Sequence, residues 1–279
     1  MRRNEGLLVV AAAIAIGCAI AAGPAAAQST PYYITDGDAT TMYVIQNGSL
    51  QATHTILPLG DAIAIRNTMW IASWQDDASA EYTLAGAATG ATHTLPATYS
   101  QLLDGTTDGV QYNYASQWNG SAPNVIRADP EWQNQQVLFS LASGTEITGI
   151  TYDPTTSHLF LAVETDNTVR EFDLNGNQLN SFSVSAVSGR PCCLAYEAAT
   201  NTLWLSANGS SNIYQFSKAG SLQQTLTIAN FPSVGATNTW GGEMQMGRAQ
   251  AIPATGAAAL ALFGLLVVSL GALFLIRKA

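Results

Sequence analysis

The stretch from Gly149 to Leu179, GITYDPTTSHLFLAVETDNTVREFDLNGNQL, has a counterpart from Cys193 to Leu222, CLAYEAATNTLWLSANGSSNIYQFSKAGSL. When the two are aligned, Tyr152 falls on Tyr196, Leu159 on Leu203, Phe160 on Trp204 and Leu161 on Leu205. Phe172 and Phe216, and Gly176 and Gly220, complete the match, and every pair is 44 residues apart. Within each copy, short runs alternate apolar and polar residues and are bounded by Gly, Asn, Asp and Pro, which is the pattern of β-strands. No helix-length periodicity interrupts them.

Each copy reads as four short strands. The third runs NTVREFDLNG or SNIYQFSKAG, and its glycine opens a hairpin into a fourth, QLNSFSV or LQQTLTI. A four-stranded unit repeating about every 40–45 residues predicts the blade of a β-propeller. Working outward, DAIAIRNTMWIASWQDDASAEYTL from Asp61 fits the same frame, with Trp70 in the place of Phe160 and Trp204. The tetrapeptide ATHT occurs at Ala52 and again at Ala91, each time where a fourth strand belongs. QYNYASQWNGSAPNVIRADPEWQNQQVLFSL, from Gln111, is an irregular middle unit. The first unit, PYYITDGDATTMYVIQNGSLQATHTI, supplies strands two to four but no innermost strand. NTWGGEMQM, near the other end, is expected beside Tyr32 to Thr35, which would close a ring of five blades and remove its open edges. The expected fold is therefore all-β, and the repeat resembles the blades of NHL-like exported propellers.

The two ends predict an address. MRRNEG is a short basic stretch, Leu7 to Ile20 is almost wholly apolar, and Ala25-Ala26-Ala27 precedes Gln28. That layout predicts a secretory signal peptide over residues 1–27. A competing reading takes AIGC at Cys18 as a lipoprotein cleavage box, although the residues after it stay apolar. The propeller is expected over 28–245 and a short stalk over 246–256. A transmembrane helix with a basic tip is expected over 257–279, where an uncharged run long enough to span a bilayer is followed by Arg277 and Lys278. Ile252-Pro253-Ala254-Thr255-Gly256, followed by the apolar run and the basic tip, resembles the IPTL-type sorting signals of Gram-negative bacteria. It is also similar to the LPXTG sortase signal, from which it departs by Ile252 in place of leucine. The resemblance covers the last 28 or so residues and implies a processing protease or transpeptidase as partner. It further implies display at the cell surface or retention in the envelope membrane.

Between the ends, residues 28–245 hold 18 acidic residues against five basic ones, Arg66, Arg127, Arg170, Arg190 and Lys218. Such an excess repels phosphate backbones and anionic headgroups and excludes nucleic acid as a partner. Cys192 and Cys193 are adjacent. In an oxidising compartment they can close on each other as a vicinal disulfide. As plain strand residues they would instead point to opposite faces and pack as small hydrophobes.

Function in such a ring resides in the loops at one face. Those expected between the second and third strands carry Asp36 and Asp38, Trp74, Asp76 and Asp77, Trp118, and Glu164 and Asp166, followed by Asn208 to Asn212. Converging carboxylates can serve as acid and base on a glycosidic bond, which would make the chain a surface hydrolase or lyase acting on sugars. They can equally hold a calcium ion through oxygen ligands. With Trp74 and Trp118 beside them, they can form a binding or adhesion face for polysaccharide or protein without catalysis. Asp, Asn and Gly are also simply the residues that tight turns need. H-E-x-x-H, G-x-S-x-G and Walker-type glycine loops are absent. A binding module is the expected function, with no catalytic residue and no histidine metal cluster assigned.

Overall fold

A computed structural model describes residues 28, 30–99, 101–120, 122–231 and 239–246. The expected signal peptide, sorting motif and C-terminal helix lie outside these residues. Among the described residues, no helix is long and apolar enough to cross a membrane.

The chain runs through β1 (Tyr32–Asp36), β2 (Thr41–Gln46) and β3 (Ser49–Thr55), then β4 (Gly60–Ile65), β5 (Met69–Ser73), β6 (Ala78–Tyr82) and β7 (Ala88–Thr94). A third group is β8 (Leu102–Thr107), β9 (Asn113–Gln117), β10 (Asn124–Ala128) and β11 (Gln136–Ser140). A fourth is β12 (Ile147–Asp153), β13 (His158–Val163), β14 (Thr168–Phe172) and β15 (Gln178–Ser183). The last is β16 (Arg190–Glu197), β17 (Thr202–Asn208), β18 (Asn212–Ser217) and β19 (Leu222–Thr227), with β20 (Thr239–Met244) returning to the start. They form five four-stranded antiparallel sheets, and the first has the order β20-β1-β2-β3. Tyr32 pairs with Met244 and Asp36 with Thr239. The chain is thus a five-bladed β-propeller, closed by the pairing of its two ends as the incomplete first unit predicts.

Burial follows position within the blade. The innermost strands β4, β8 and β12 are buried along their whole length, because both faces meet other strands. The outermost strands β3 and β7 alternate between exposed and half-buried residues, and the two ATHT segments lie there. The 44-residue match is one of structural position: Tyr152 pairs with Leu159 as Tyr196 pairs with Leu203, and Phe172 pairs with Leu159 as Phe216 pairs with Leu203.

Where the third strand turns into the fourth, a residue in the left-handed region closes the hairpin. Gly86, Gly176 and Gly220 fill this place, each donating its N–H to the carbonyl three residues earlier. Each lies against the outermost strand of the preceding blade. A Cβ on Gly176 would come within 2.8 Å of Phe139, and one on Gly86 or Gly220 would collide with His54 or Phe182. The middle blade breaks the pattern. Trp132 occupies the glycine position there, with φ of 65° and its N–H donated to Asp129 O. Its fully buried indole donates from Nε1 to Trp70 O at 3.1 Å and packs against Gly105.

Candidate functional site

The axis of the ring is filled by one carboxylate. Asp104, in β8, is completely buried. One of its oxygens accepts N–H groups from Gly105 (2.8 Å) and Gly242 (2.7 Å), the other from Ile150 and Leu194 (2.9 Å each). Those donors lie on β8, β20, β12 and β16, so a single side chain ties together the inner strands of four blades. The fifth inner strand, β4, is held from its own carbonyl: Thr35 Oγ1 donates to Asp61 O at 2.5 Å, and the Asp61 carboxyl accepts from Gly37 N at 3.0 Å. Burial pushes the Asp104 carboxyl well above the usual carboxylate range, and its four N–H donors pull against that shift. Asp61 and Glu243, also buried, are raised for the same reason.

On the face where second strands turn into third strands, a pocket of about 220 Å³ opens over this plug. It is lined by Trp74, Leu103, Trp118, Glu146, Thr148, Arg190 and Trp240. Trp74 and Trp118 come from the turns of neighbouring blades, and their rings lie 6.0 Å apart at 31°. Trp240 stands at the start of β20 with the Arg190 guanidinium 4.9 Å above its ring. Arg190 makes a bidentate pair with Glu164, both contacts at 2.5 Å, and this pairing raises the arginine's pKa. The surface is mostly indole, with one guanidinium held flat and one carboxylate, Glu146, making no side-chain hydrogen bond among the described residues.

Of the residues expected at the rim, the fold brings Trp74 and Trp118 together and connects Glu164 to them through Arg190 and Trp240. The others stay on their own turns. Asp36 is buried and accepts the Ala39 N–H at 3.0 Å, while Asp38 is exposed. Asp76 donates its N–H to Ser73 Oγ, and Asp77 sits in the left-handed region with a buried Oδ1 that has no hydrogen-bond partner among the described residues. Asp166 accepts from Thr168 Oγ1 and Arg170 Nη2, both at 2.6 Å; slight burial raises its pKa, but these bonds outweigh it and hold the group low. The described residues contain no group of three His, Cys, Asp or Glu side chains able to hold a metal ion. Leu103, Arg190 and Trp240 come from the ends of inner strands and Glu146 immediately precedes β12, rather than from the second-to-third-strand turns, so a reading of turn sequences passes over them. Their signal was the alignment of inner strands, in which Arg190 and Trp240 both stand at a strand start.

A second cavity, of about 430 Å³, lies on the opposite face and is lined by Arg66, Asp108, Thr155, Tyr196, Gln245 and Met246 among others. Because Tyr32 pairs with Met244, both ends of the ring-forming chain emerge on this second face, away from the tryptophans.

No protein-family model and no curated sequence matches the chain. Among solved structures, the chain is similar to one titled "Crystal structure of Nidogen/Laminin Complex", at 16% identity and a TM-score of 0.53, covering 77% of this chain and 85% of that one. It is also similar to a protein of unknown function from Bacteroides caccae, at 14% identity and a TM-score of 0.45, over 72% of this chain and 74% of the other. At such identities the likeness is one of fold.

Proposed function

We propose that this propeller is a binding module of the bacterial surface whose ligand, a neutral or weakly cationic saccharide, seats on the indoles of Trp74, Trp118 and Trp240. The observation that carries the reading is the convergence of these three rings, from three different blades, on one mouth. Indole faces suit the C–H faces of sugar rings, as aromatic surface suits apolar surface in general. The Glu146 carboxylate and the Arg190–Glu164 pair stand at the edge to meet hydroxyl groups. Acidic residues outnumber basic ones around the rim, which disfavours anionic polymers.

Binding is favoured over hydrolysis by the state of the carboxylates. Glycoside hydrolysis needs two carboxyl groups facing one bond, roughly 5–9 Å apart. Glu146 is the one carboxylate among the lining residues, and nearby Glu164 is engaged with Arg190. The C-terminal segment supports anchoring or sorting through Ile252-Pro253-Ala254-Thr255-Gly256, and a chain held there would present the tryptophan mouth outward. The nidogen–laminin structure, in which a similar fold takes part in a protein complex, keeps a protein ligand as the other outcome of the test.

The test is calorimetric titration of the purified protein with a panel of neutral, amino and acidic polysaccharides and of extracellular proteins, repeated on Trp118→Ala. Saturable heat with a neutral or amino polymer that vanishes in the variant supports the reading. Binding that survives the substitution, or binding confined to acidic polymers or proteins, overturns it. Intact mass of the protein from its native cells, read at both termini, tests the anchoring: a C-terminus near Thr255 means sorting, and retention of residues 257–279 means a membrane anchor.

A further inference from the structure

The paired thiols at the start of β16 are used by nothing described so far. In a regular strand their side chains would point to opposite faces. Here the register of β16 against β17 shifts between Cys192 and Ala195, and Cys193 takes a left-handed φ of 53°. The bulge turns both side chains the same way, and the two Sγ atoms lie 3.3 Å apart as free thiols. The bulge lies in the pairing of β16 with β17 of the same blade, and closing the ring then brings Tyr32 Oη to donate to Cys193 O and Gly242 so near that a Cβ on it would come within 2.5 Å of Cys193 Cβ. Cys192 Sγ also faces Ser206 Oγ at 3.7 Å and Thr239 Oγ1 at 4.0 Å.

We propose that Cys192 and Cys193 form an oxidisable vicinal pair that closes into a disulfide before the ring itself closes. The order follows from burial. Both residues are wholly inaccessible in the closed ring, and β20 lies across β16. An external disulfide can therefore reach them only while β20 is not yet in place. The step is thiol–disulfide exchange. One cysteine thiolate attacks an external disulfide, releasing one thiol and leaving a mixed disulfide. The neighbouring thiolate then attacks the protein sulfur and releases the second thiol. The pair loses two electrons and two protons, and the external disulfide takes them up. Adjacent Cα atoms are only about 3.8 Å apart, closer than ordinary disulfides prefer, so this bond is more readily reduced than most.

The test uses the full chain carrying Cys18→Ser, so that Cys192 and Cys193 are its two cysteines, unfolded under reducing conditions and then refolded in a glutathione buffer of oxidising or reducing poise. Each sample is unfolded again in iodoacetamide and weighed intact. The same oxidising buffer is applied to chain kept in denaturant. After oxidising refolding, we expect a monomer lighter by two hydrogen atoms that takes up no alkyl group at Cys192 or Cys193. After reducing refolding, both should be alkylated. In denaturant, glutathione adducts should predominate. Two alkylated cysteines after oxidising refolding, glutathione adducts on the refolded chain, or equal closure in denaturant would each overturn the inference.

Discussion

The middle blade and its two successors present the same architecture in opposite ways. Blades four and five match at marked positions 44 residues apart, and their hairpins turn on Gly176 and Gly220. The middle blade scarcely resembles them, yet it supplies Asp104 at the axis, Trp118 at the mouth and Trp132 in the joint with the second blade. At the shared turn position, glycine leaves room for a neighbour's Phe139 or Phe182, whereas Trp132 fills the equivalent space itself. Nearby, His93 stacks on Trp70 and pairs with Glu131 at 2.8 Å. The repeat thus carries what any blade needs, and the departures from it carry what only this ring does.

Asp104→Asn strikes the departure hardest. The amide nitrogen would face two N–H donors that now meet an oxygen, at a fully buried position. A loss of about 4 kcal/mol is expected, because two fully buried N–H donors are left unpaired against the amide nitrogen. Urea denaturation followed by fluorescence measures it, and a loss below about 1 kcal/mol would mean the plug is dispensable.

Trp132→Gly restores the repeat's own residue and should still destabilise. The turn gains freedom, but the indole leaves a void between two blades, for a net loss of about 3 kcal/mol. The reciprocal change, Gly220→Ala, places a Cβ at φ of 88° against Phe182 and should cost about 1–2 kcal/mol. If the order of these two effects reversed, the account of the two turns would fail.

Acidity separates the blades more gently. Asp104 and Asp61 hold their protons more tightly folded than unfolded, so their contribution is full below about pH 4 and fades as pH rises through their raised values. Asp153, at the end of β12, goes the other way. Burial raises its pKa, but Lys218 at 2.7 Å and the Thr155 and Thr156 hydroxyls outweigh this and hold it low. Its contribution is present above about pH 4 and is lost as pH falls through the lowered value. Stability should therefore peak in mildly acidic solution. Asp61→Asn should flatten the upper limb of urea midpoints against pH, and Lys218→Met the lower limb.

Trp118→Ala should show the smallest change in stability. The ring is 39% exposed, and losing its contact with Trp74 should cost about 1 kcal/mol or less. Saccharide binding should nevertheless be abolished in the titration described above.

What was legible in the sequence follows the same division. Phe160 and Trp204, Phe172 and Phe216, and the hairpin glycines announced the blades because repeated environments select repeated residues. NTWGGEMQM revealed the closure because the first unit lacked a partner strand. Trp74 and Trp118 could be assigned to one face because that face collects the same turn from every blade. Asp104 could not be singled out. In LLDGTT it looks like a turn residue, and its role exists only when four distant strands deliver their N–H groups to one point. Trp132 was hidden for a related reason: a left-handed turn suggests glycine, and only the gap between two blades explains the indole. The bulge at Cys193 likewise meets its neighbours Tyr32 and Gly242, both remote in sequence, only in the closed ring.

The seam between β1 and β20 also sets a schedule for synthesis. Tyr32 and Met244 are neighbours in space but more than two hundred residues apart in sequence. A chain delivered from its N-terminus therefore waits with Tyr32–Asp36 unpaired on one side until Thr239–Met244 arrives. Until then it exposes a strand edge able to pair with another copy. Slow translation or transport of the final segment should accordingly raise the yield of aggregates more than an equal delay earlier in the chain.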